Sequence, residues 1–309
     1  MLVSVIIPAY NCEKYIEETI RSVYLQTTKD FEMIVVDDGS TDYTTAIVKR
    51  NLVLPHRLIT QKNQGEAAAR NTGIRNAIGK YIAFLDNDDL YHYEKLKYCL
   101  EFLEKKRDYG MVYGNYAYLI EPDKFDNWKN WDFSFSNNGS GDIFIKQFIE
   151  NKIHILTTLV RKECFEKVGL FDESIPYASD SDMWIRISAH YKIGYINKCM
   201  GYYRLHNSNV SIDRETCLLH RIASMNKNFQ AFYERVKGNK EIIESIRKLY
   251  YRLIKLYIKK KEYKKALHYF WDYRKRYAKL HSKCKSTPTA TITSDVKFVK
   301  FLNEKIPPT

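Results

Sequence analysis

Hydrophobic positions in the first hundred residues alternate between two rhythms. Val3–Pro8 is a continuous apolar run of strand length, and Met33–Val36, Arg57–Thr60 and Tyr81–Leu85 repeat it in shorter form. Between these runs, Glu13–Gln26 places Ile16, Ile20, Val23 and Tyr24 at helical spacing, and Thr41–Arg50, Gly65–Ala77 and Tyr91–Lys106 read as further helices. Strands alternating with helices predict β-α-β units and an α/β fold with a mainly parallel sheet covered by flanking helices. In such sheets ligands bind beyond the carboxyl ends of the strands. Those ends are Pro8-Ala9-Tyr10-Asn11, Asp37-Asp38-Gly39-Ser40 and Asp86-Asn87-Asp88-Asp89, all polar and turn-forming, so they are expected to lie together.

From about residue 110 the rhythm loosens. Met111–Ile120 alternates like a strand, Trp128–Gly141 reads as a loop, Val168–Asp172 as a turn, Met183–Ala189 as a short helix and Tyr202–His206 as a last strand or its end. Beyond 212 the chain reads as helical. Ile242, Ile246, Leu249, Leu253, Leu256 and Tyr257 recur at three- and four-residue spacing, and Tyr263–Lys279 follows a lysine-rich turn at 259–261, which predicts a helical hairpin. The expected division is a domain at 1–211, itself in halves at 1–110 and 111–211, and a helical extension at 212–309.

With 309 residues and 45% apolar content the chain can bury a sizeable core. It holds no run of eighteen apolar residues, so no spanning helix is expected. The N-terminus lacks the basic region and cleavage site of a signal peptide and reads as a buried strand. Its 6 cysteines are scattered without Cys-x-x-Cys spacing, which argues against a zinc site and for a reduced, cytoplasmic compartment. The net charge of +13 is unevenly held: residues 212–309 carry 24 Lys+Arg against 9 Asp+Glu, while residues 1–211 are close to neutral. A basic extension implies an anionic partner: membrane lipid, a diphosphate-bearing acceptor or, last in order, nucleic acid. Lys259–Lys261, Lys264, Lys265 and Arg274–Arg276 beside Tyr269, Phe270, Trp271 and Tyr273 suit the inner face of a membrane, with the protein peripheral there. The plainer alternative is packing on the first domain or on a second subunit of a homo-oligomer. No motif supports nucleic-acid binding.

The sharpest chemical signal is the carboxylate cluster Asp86, Asp88 and Asp89. Three carboxylates within four residues repel one another unless a cation joins them, and hard divalent ions bridge one or two carboxylates to substrate phosphates. Helix capping by Asp88 and Asp89 is the competing explanation. Asp37-Asp38 precedes Gly39, a tight-turn residue, with Ser40 or Thr41 as a helix cap; a carboxylate here could accept a pyrimidine ring N–H. In the 63–73 segment Arg70 offers a donor fork suited to phosphate or a base edge, while its alanines fit packing or a close ligand approach. Asp180 and Asp182 stand as candidates for a general base or for a cap, unranked by sequence. His206 is a candidate ligand to metal or phosphate, although a lone histidine is more often structural.

Taken in order, V-S-V-I-I-P-A-Y-N at 3–11, V-V-D-D-G-S-T-D at 35–42, N-Q-G-x-A-x-A-R-N-x-G-I at 63–74, Y-I-A-F-L-D-N-D-D at 81–89, L-F-D-E-x-I-P-Y-A-x-D-x-D-M-W-I-R at 170–186 and Y-R-x-H-x-x-N-x-S at 203–211 resemble the family 2 glycosyltransferases of GT-A fold. The resemblance covers residues 1–211. It implies a Rossmann-like nucleotide-binding half joined to an acceptor half. It also implies inverting transfer of a sugar from a nucleotide diphosphate donor, typically UDP-linked, with Mn²⁺ or Mg²⁺, to a glycan or lipid-linked acceptor. By the same resemblance Pro8, Ala9 and Tyr10 would line base and ribose, Asp38 would hold the uracil, and Arg70 would sit near the nucleotide. Asp86-Asn87-Asp88 matches the D-x-D motif, with Asp86 toward ribose and Asp88 on the metal. Asp180 matches the base, with Ser179 where many relatives carry Glu, and His206 lies near diphosphate and metal. A catalytically silent nucleotide-binding or scaffold protein on the same fold is the alternative; its sequence should have lost Asp88 or the base, and neither is lost.

Overall fold

The computed structural model describes residues 2–120, 139–206, 213–281, 299, 300, 302, 304 and 305. The loop expected at 128–141 lies outside these up to residue 138, as do the motif residues 207–211 and Cys284. The chain divides into two compact units, 1–212 and 213–309.

The first unit is built on one eight-stranded sheet. Its strands are β1 (Val3–Ala9), β2 (Phe31–Asp37), β3 (Arg57–Thr60), β4 (Tyr81–Phe84), β5 (Leu90–Tyr91), β6 (Tyr109–Ile120), β7 (Leu159–Arg161) and β8 (Lys192–Leu205), in the order β3-β2-β1-β4-β7-β6-β8-β5. The pairs β1–β2, β1–β4, β2–β3 and β6–β8 are parallel. The pairs β4–β7, β6–β7 and β5–β8 are antiparallel. Every residue of β1, β2 and β4 is buried, the mark of strands covered on both faces. One face packs Ile16, Ile20 and Val23 of α1 (Ile16–Tyr24) and Leu96 and Cys99 of α4 (Lys95–Lys105) against Val5, Ile7 and Ala83. The other packs Ala67, Ala69 and Ile74 of α3 (Glu66–Asn76) against Ile6, Ile34 and Ile82. Gly73 allows this closeness, because a Cβ there would stand 2.4 Å from Ile6 Cγ2.

Several boundaries differ from expectation, each for a local reason. Tyr91–Lys106 is not one helix: Leu90–Tyr91 pair with Gly201–Tyr202 as β5, and α4 begins at Lys95. Asp88 and Asp89 therefore cap nothing; Asp89 Oδ1 accepts the Arg204 backbone amide at 2.9 Å. Ser40 and Thr41 do not cap α2 (Thr44–Asn51) either. The Thr44 amide goes instead to Asp42 Oδ1, while the Thr41 amide donates to Asn11. The helix expected at 183–189 is α7 (Ser179–Ser188), which puts Asp180 and Asp182 inside its first turn rather than ahead of it. Helices α5 (Phe144–Ile149) and α6 (Lys162–Val168), strand β7 and the first ten residues of β8 are too short or too irregular to read from periodicity.

The second unit consists of α8 (Arg214–Ala231), α9 (Tyr233–Val236), α10 (Lys240–Lys259) and α11 (Tyr263–His281). Asp213 and Asn239 cap α8 and α10 with their side-chain oxygens. The turn after α10 places Lys261 at φ 61°. α10 buries Ile242, Ile243, Ile246, Tyr250, Leu253, Ile254 and Tyr257, so Leu249 and Leu256 sit at the edge of the stripe rather than in it. Tyr250 donates to Asp272 at 2.6 Å, which joins α10 to α11. No helix among the described residues is long and apolar enough to cross a membrane.

Candidate active site

The carboxyl ends of β1, β2 and β4 are neighbours because the register pairs Ala9 with Asp37 and runs Ile6 beside Phe84. Three loops meet there and are tied together. The Asn11 amide donates to Ser40 Oγ at 3.0 Å, Asn11 Oδ1 accepts the Thr41 amide at 2.8 Å, and Asn87 Nδ2 donates to the Pro8 carbonyl at 3.0 Å. Asn11 itself sits at φ 45° and Gly39 at φ 79°, so both turns use the left-handed region. Tyr10 stands half-exposed at the rim, whereas Ala9 is buried.

The paired aspartates divide their duties. Asp37 accepts the Ser40 amide at 2.9 Å and the Thr45 hydroxyl. Asp38 Oδ1 takes Gln61 Nε2 at 2.7 Å and the Gln64 amide at 2.9 Å; Oδ2 takes the Gly65 amide at 2.7 Å. Asp38 thus anchors the loop before α3, and its Oδ2, with a single donor among the described residues, keeps room for another.

Arg70 lies almost fully buried at the centre of the acid cluster. Its Nη2 pairs with Asp86 Oδ1 at 2.6 Å and with Glu66 Oε1 at 2.5 Å. Its Nε is buried with no hydrogen-bond partner among the described residues. Burial opposes the charge on Asp86, but Arg70 outweighs it and holds that carboxyl below its usual range. Glu66, half open to the cleft, goes the other way. Partial burial and the charges of Asp86 and Asp88 raise its carboxyl above the usual range, and Arg70 pulls against this. Glu66 escaped the sequence reading, which treated the start of α3 as small-residue packing; its spacing of four from Arg70 was the available signal.

Asp88 Oδ2 and His206 Nε2 are 2.9 Å apart, and the His206 ring stacks on Tyr15 with centroids 4.8 Å apart. Burial first, then the Asp86 charge, raise the Asp88 carboxyl above its usual value, against the pull of His206. Asp89 is raised further by burial and by Asp88 and Asp86, and its Oδ2 is buried without a partner among the described residues. Arg204 braces this corner: Nε donates to the Asp88 carbonyl at 2.8 Å, Nη2 pairs with Glu18 at 2.6 Å, and the guanidinium lies 4.9 Å over Tyr15. Arg204, Tyr15 and Glu18 were not singled out from sequence, although Arg204 stands inside a motif that was.

The structure separates Asp180 from Asp182. Asp182 is buried and bonded to Arg186 at 2.8 Å, and Arg186 also donates to the carbonyls of Val168 and Leu170. That is a structural bracket. Asp180 instead lies within electrostatic reach of Arg70 and of His154, a residue the sequence reading passed over. Ser179 is buried and donates to the Pro176 carbonyl at 3.1 Å.

The donor set suits a divalent cation held mainly by its substrate. Among the described residues no three His, Cys, Asp or Glu side chains form a ready cage. Asp88 and His206 could offer two ligands at one corner, and Mg²⁺- or Mn²⁺-type ions ordinarily complete their shells with phosphate oxygens and water. Burial is the main cause of the raised carboxyls of Asp88 and Asp89, and the neighbouring carboxylate charge that adds to it is what such an ion would offset.

Against known proteins, the model of "Glycosyl transferase family 2" matches residues 4–193. An uncharacterized glycosyltransferase of Rickettsia felis is 38% identical over 206 residues, 66% of this chain and 33% of its own length. The chain thus spans about a third of the first such relatives. The putative teichuronic acid biosynthesis glycosyltransferase TuaG of Bacillus subtilis is 32% identical over 221 residues, covering 69% of this chain and 82% of that one. Among solved structures, the mannosyltransferase PcManGT of Pyrobaculum calidifontis in complex with GDP-Man and Mn²⁺ superposes with TM-score 0.59 and 20% identity, over 97% of this chain and 80% of that chain. S. aureus TarS 1–349 in complex with UDP-GlcNAc gives 0.58 and 19%, over 81% of each chain. At such identities the two structures speak to the fold, which is GT-A. The chain belongs to glycosyltransferase family 2.

Proposed function

We propose that this chain is an inverting, metal-dependent transferase. In this reading it moves a sugar from a nucleotide diphosphate donor, UDP-linked, to a hydroxyl of a glycan or lipid-linked acceptor in cell-surface polysaccharide assembly. The observation that carries the reading is the single acid cluster at the strand ends. It combines Asp88 with His206 and Asp86 with Arg70, with Asp180 in electrostatic reach of Arg70. TuaG's part in teichuronic acid biosynthesis and the UDP-GlcNAc bound by TarS support the substrate class.

Tyr10 and Asp38 line the base, and Asp86 faces the ribose. The free Nε–H of Arg70 points to a negatively charged donor group, and its guanidinium balances charge near the diphosphate. Asp88 and His206 would hold Mn²⁺ or Mg²⁺, which would supply Lewis-acid stabilisation of the leaving diphosphate. Asp180 takes the proton of the acceptor hydroxyl as that oxygen attacks the anomeric carbon from the face opposite the leaving group. One displacement inverts the centre. The test is nucleotide release across UDP-, GDP- and dTDP-sugars with Mn²⁺, Mg²⁺ or chelator. Metal-dependent release from a UDP-sugar supports the reading, and no release from any donor sinks it.

The second unit is proposed to rest on an anionic membrane face. Half-exposed Trp271 stands in a groove of about 480 Å³ on α11, with Lys264, Leu267, His268, Asp272 and Lys275. An aromatic ring among lysines fits a headgroup interface. Sedimentation with phosphatidylglycerol vesicles, lost on Trp271→Ala with Lys264→Glu, is the expected result. Equal sedimentation of the variant removes the idea.

A further inference from the structure

Next to the acid cluster, the second half of the sheet presents a wall of four aromatic rings. Tyr116 and Tyr118 lie two apart on β6 and so share a face, with centroids 5.5 Å apart. Tyr203 of β8, the register partner of Tyr118, closes on them at 6.2 and 6.1 Å. His154 completes the set, 4.8 Å from Tyr116 and 5.0 Å from Tyr203. Packing accounts for the part-buried Tyr116, Tyr203 and His154 but not for Tyr118, which stays 46% exposed at the strand's carboxyl end.

His154 gives the wall a polar handle. Its Nδ1 accepts the Leu156 amide at 3.3 Å and caps the 3₁₀ turn Ile155–Thr157. In the neutral ring that bond assigns the hydrogen to Nε2. Nε2 has no hydrogen-bond partner among the described residues. Burial lowers the pKa of this imidazole and outweighs the carboxylates of Asp86, Asp180 and Asp88, so near neutrality the ring is an uncharged donor. A neutral donor beside carboxylates and next to aromatic faces is poorly suited to a phosphate. It suits a polyol with an apolar C–H face.

We propose that this wall is a pyranose subsite for the acceptor. The sugar's C–H face lies on Tyr118 and Tyr203, and one of its hydroxyls takes the Nε2–H bond of His154 on the Asp180 side. The inference deepens the transferase reading and rests on it for the word acceptor. It does not rest on it for the binding of a sugar.

The test is saturation-transfer NMR on the full chain with methyl glucoside, galactoside and N-acetylglucosaminide, with UDP affinity measured in the same samples. The expected result is transfer to the ring C–H protons. It should fall about fivefold in Tyr118→Ala, the worth of one aromatic face, and persist in Tyr118→Phe. His154→Asn keeps an oxygen for the Leu156 amide and so preserves the cap, but it cannot reach the Nε2 position; pyranoside binding should weaken while thermal stability and UDP affinity hold. The subsite is overturned if the wild type shows no transfer, if Tyr118→Ala binds as the wild type does, or if uridine displaces the pyranoside, which would make the wall a base platform. A chain that binds pyranosides but no nucleotide keeps the subsite and loses the transferase reading. Nucleotide binding without pyranoside does the reverse.

Discussion

Arg204 holds the main chain of Asp88: its Nε donates to the Asp88 carbonyl at 2.8 Å, while its own amide donates to Asp89 Oδ1. The guanidinium fork also pairs with Glu18, so one side chain fixes the Asp86–Asp89 loop against α1 and the end of β8. A lysine cannot span both partners. Arg204→Lys is expected to weaken Mn²⁺–UDP binding by about 10–100-fold, the usual cost of losing a group that orients a metal ligand. Calorimetric titration of UDP with and without Mn²⁺ checks it; an unchanged metal-dependent affinity would mean that Arg204 only supports the fold.

Asp88 and Asp180 are assigned separable tasks. Asp88→Asn should abolish turnover and remove the metal-dependent part of UDP affinity. Asp180→Asn should lower kcat by about 10²–10⁴-fold, the range for losing a general base, and leave UDP affinity intact. If Asp180→Asn turns over normally, another group is the base.

Lys95 is a buried amine with no hydrogen-bond partner among the described residues, its Nζ 3.6 Å above the Tyr91 ring. Burial pushes it down to about 7. The unfolded chain protonates this group below about 10.4, whereas the folded chain stays neutral down to about 7, so in that window the unfolded state binds the extra proton. Stability attributable to Lys95 therefore falls as pH drops from about 10.4 to about 7 and levels off below. Lys95→Met should raise stability by about 1–3 kcal/mol at pH 7.5, with the gain shrinking toward pH 10.5. Denaturant melts across that range decide it; a gain independent of pH would mean the amine is charged throughout.

Gly73→Ala would place a methyl 2.4 Å from Ile6 Cγ2 and force α3 off β1. The expected loss is about 1–3 kcal/mol. For a unit of this size that is a fall of roughly 2–4 °C in Tm per kcal/mol. An unchanged Tm would show that α3 can shift freely.

What the sequence made legible was whatever repeats or clusters. Strands β1, β2 and β4, buried on both faces, announce themselves as apolar runs, and Asp86, Asp88, Arg70 and His206 stand in motifs rich in polar residues. The rest was set by tertiary partners. Leu90–Tyr91 became a strand because Gly201–Tyr202 were there to pair, a long-range fact with no local sign. Asp182 was told from Asp180 only by where Arg186 reached. His154, alone between an isoleucine and a short turn, carried no pattern at all until Tyr116 and Tyr203 closed around it.

Strand β4 is bonded on one edge to β1 and on the other to β7. The loop with Asp86 and Asp88 springs from a member common to both halves of the sheet. Changes that rework β6 for a different partner leave the β1–β4 ladder untouched, whereas β8 is tied to that loop through Arg204. The strand free to drift with the partner is thus β6, and β8 is held to the loop it braces.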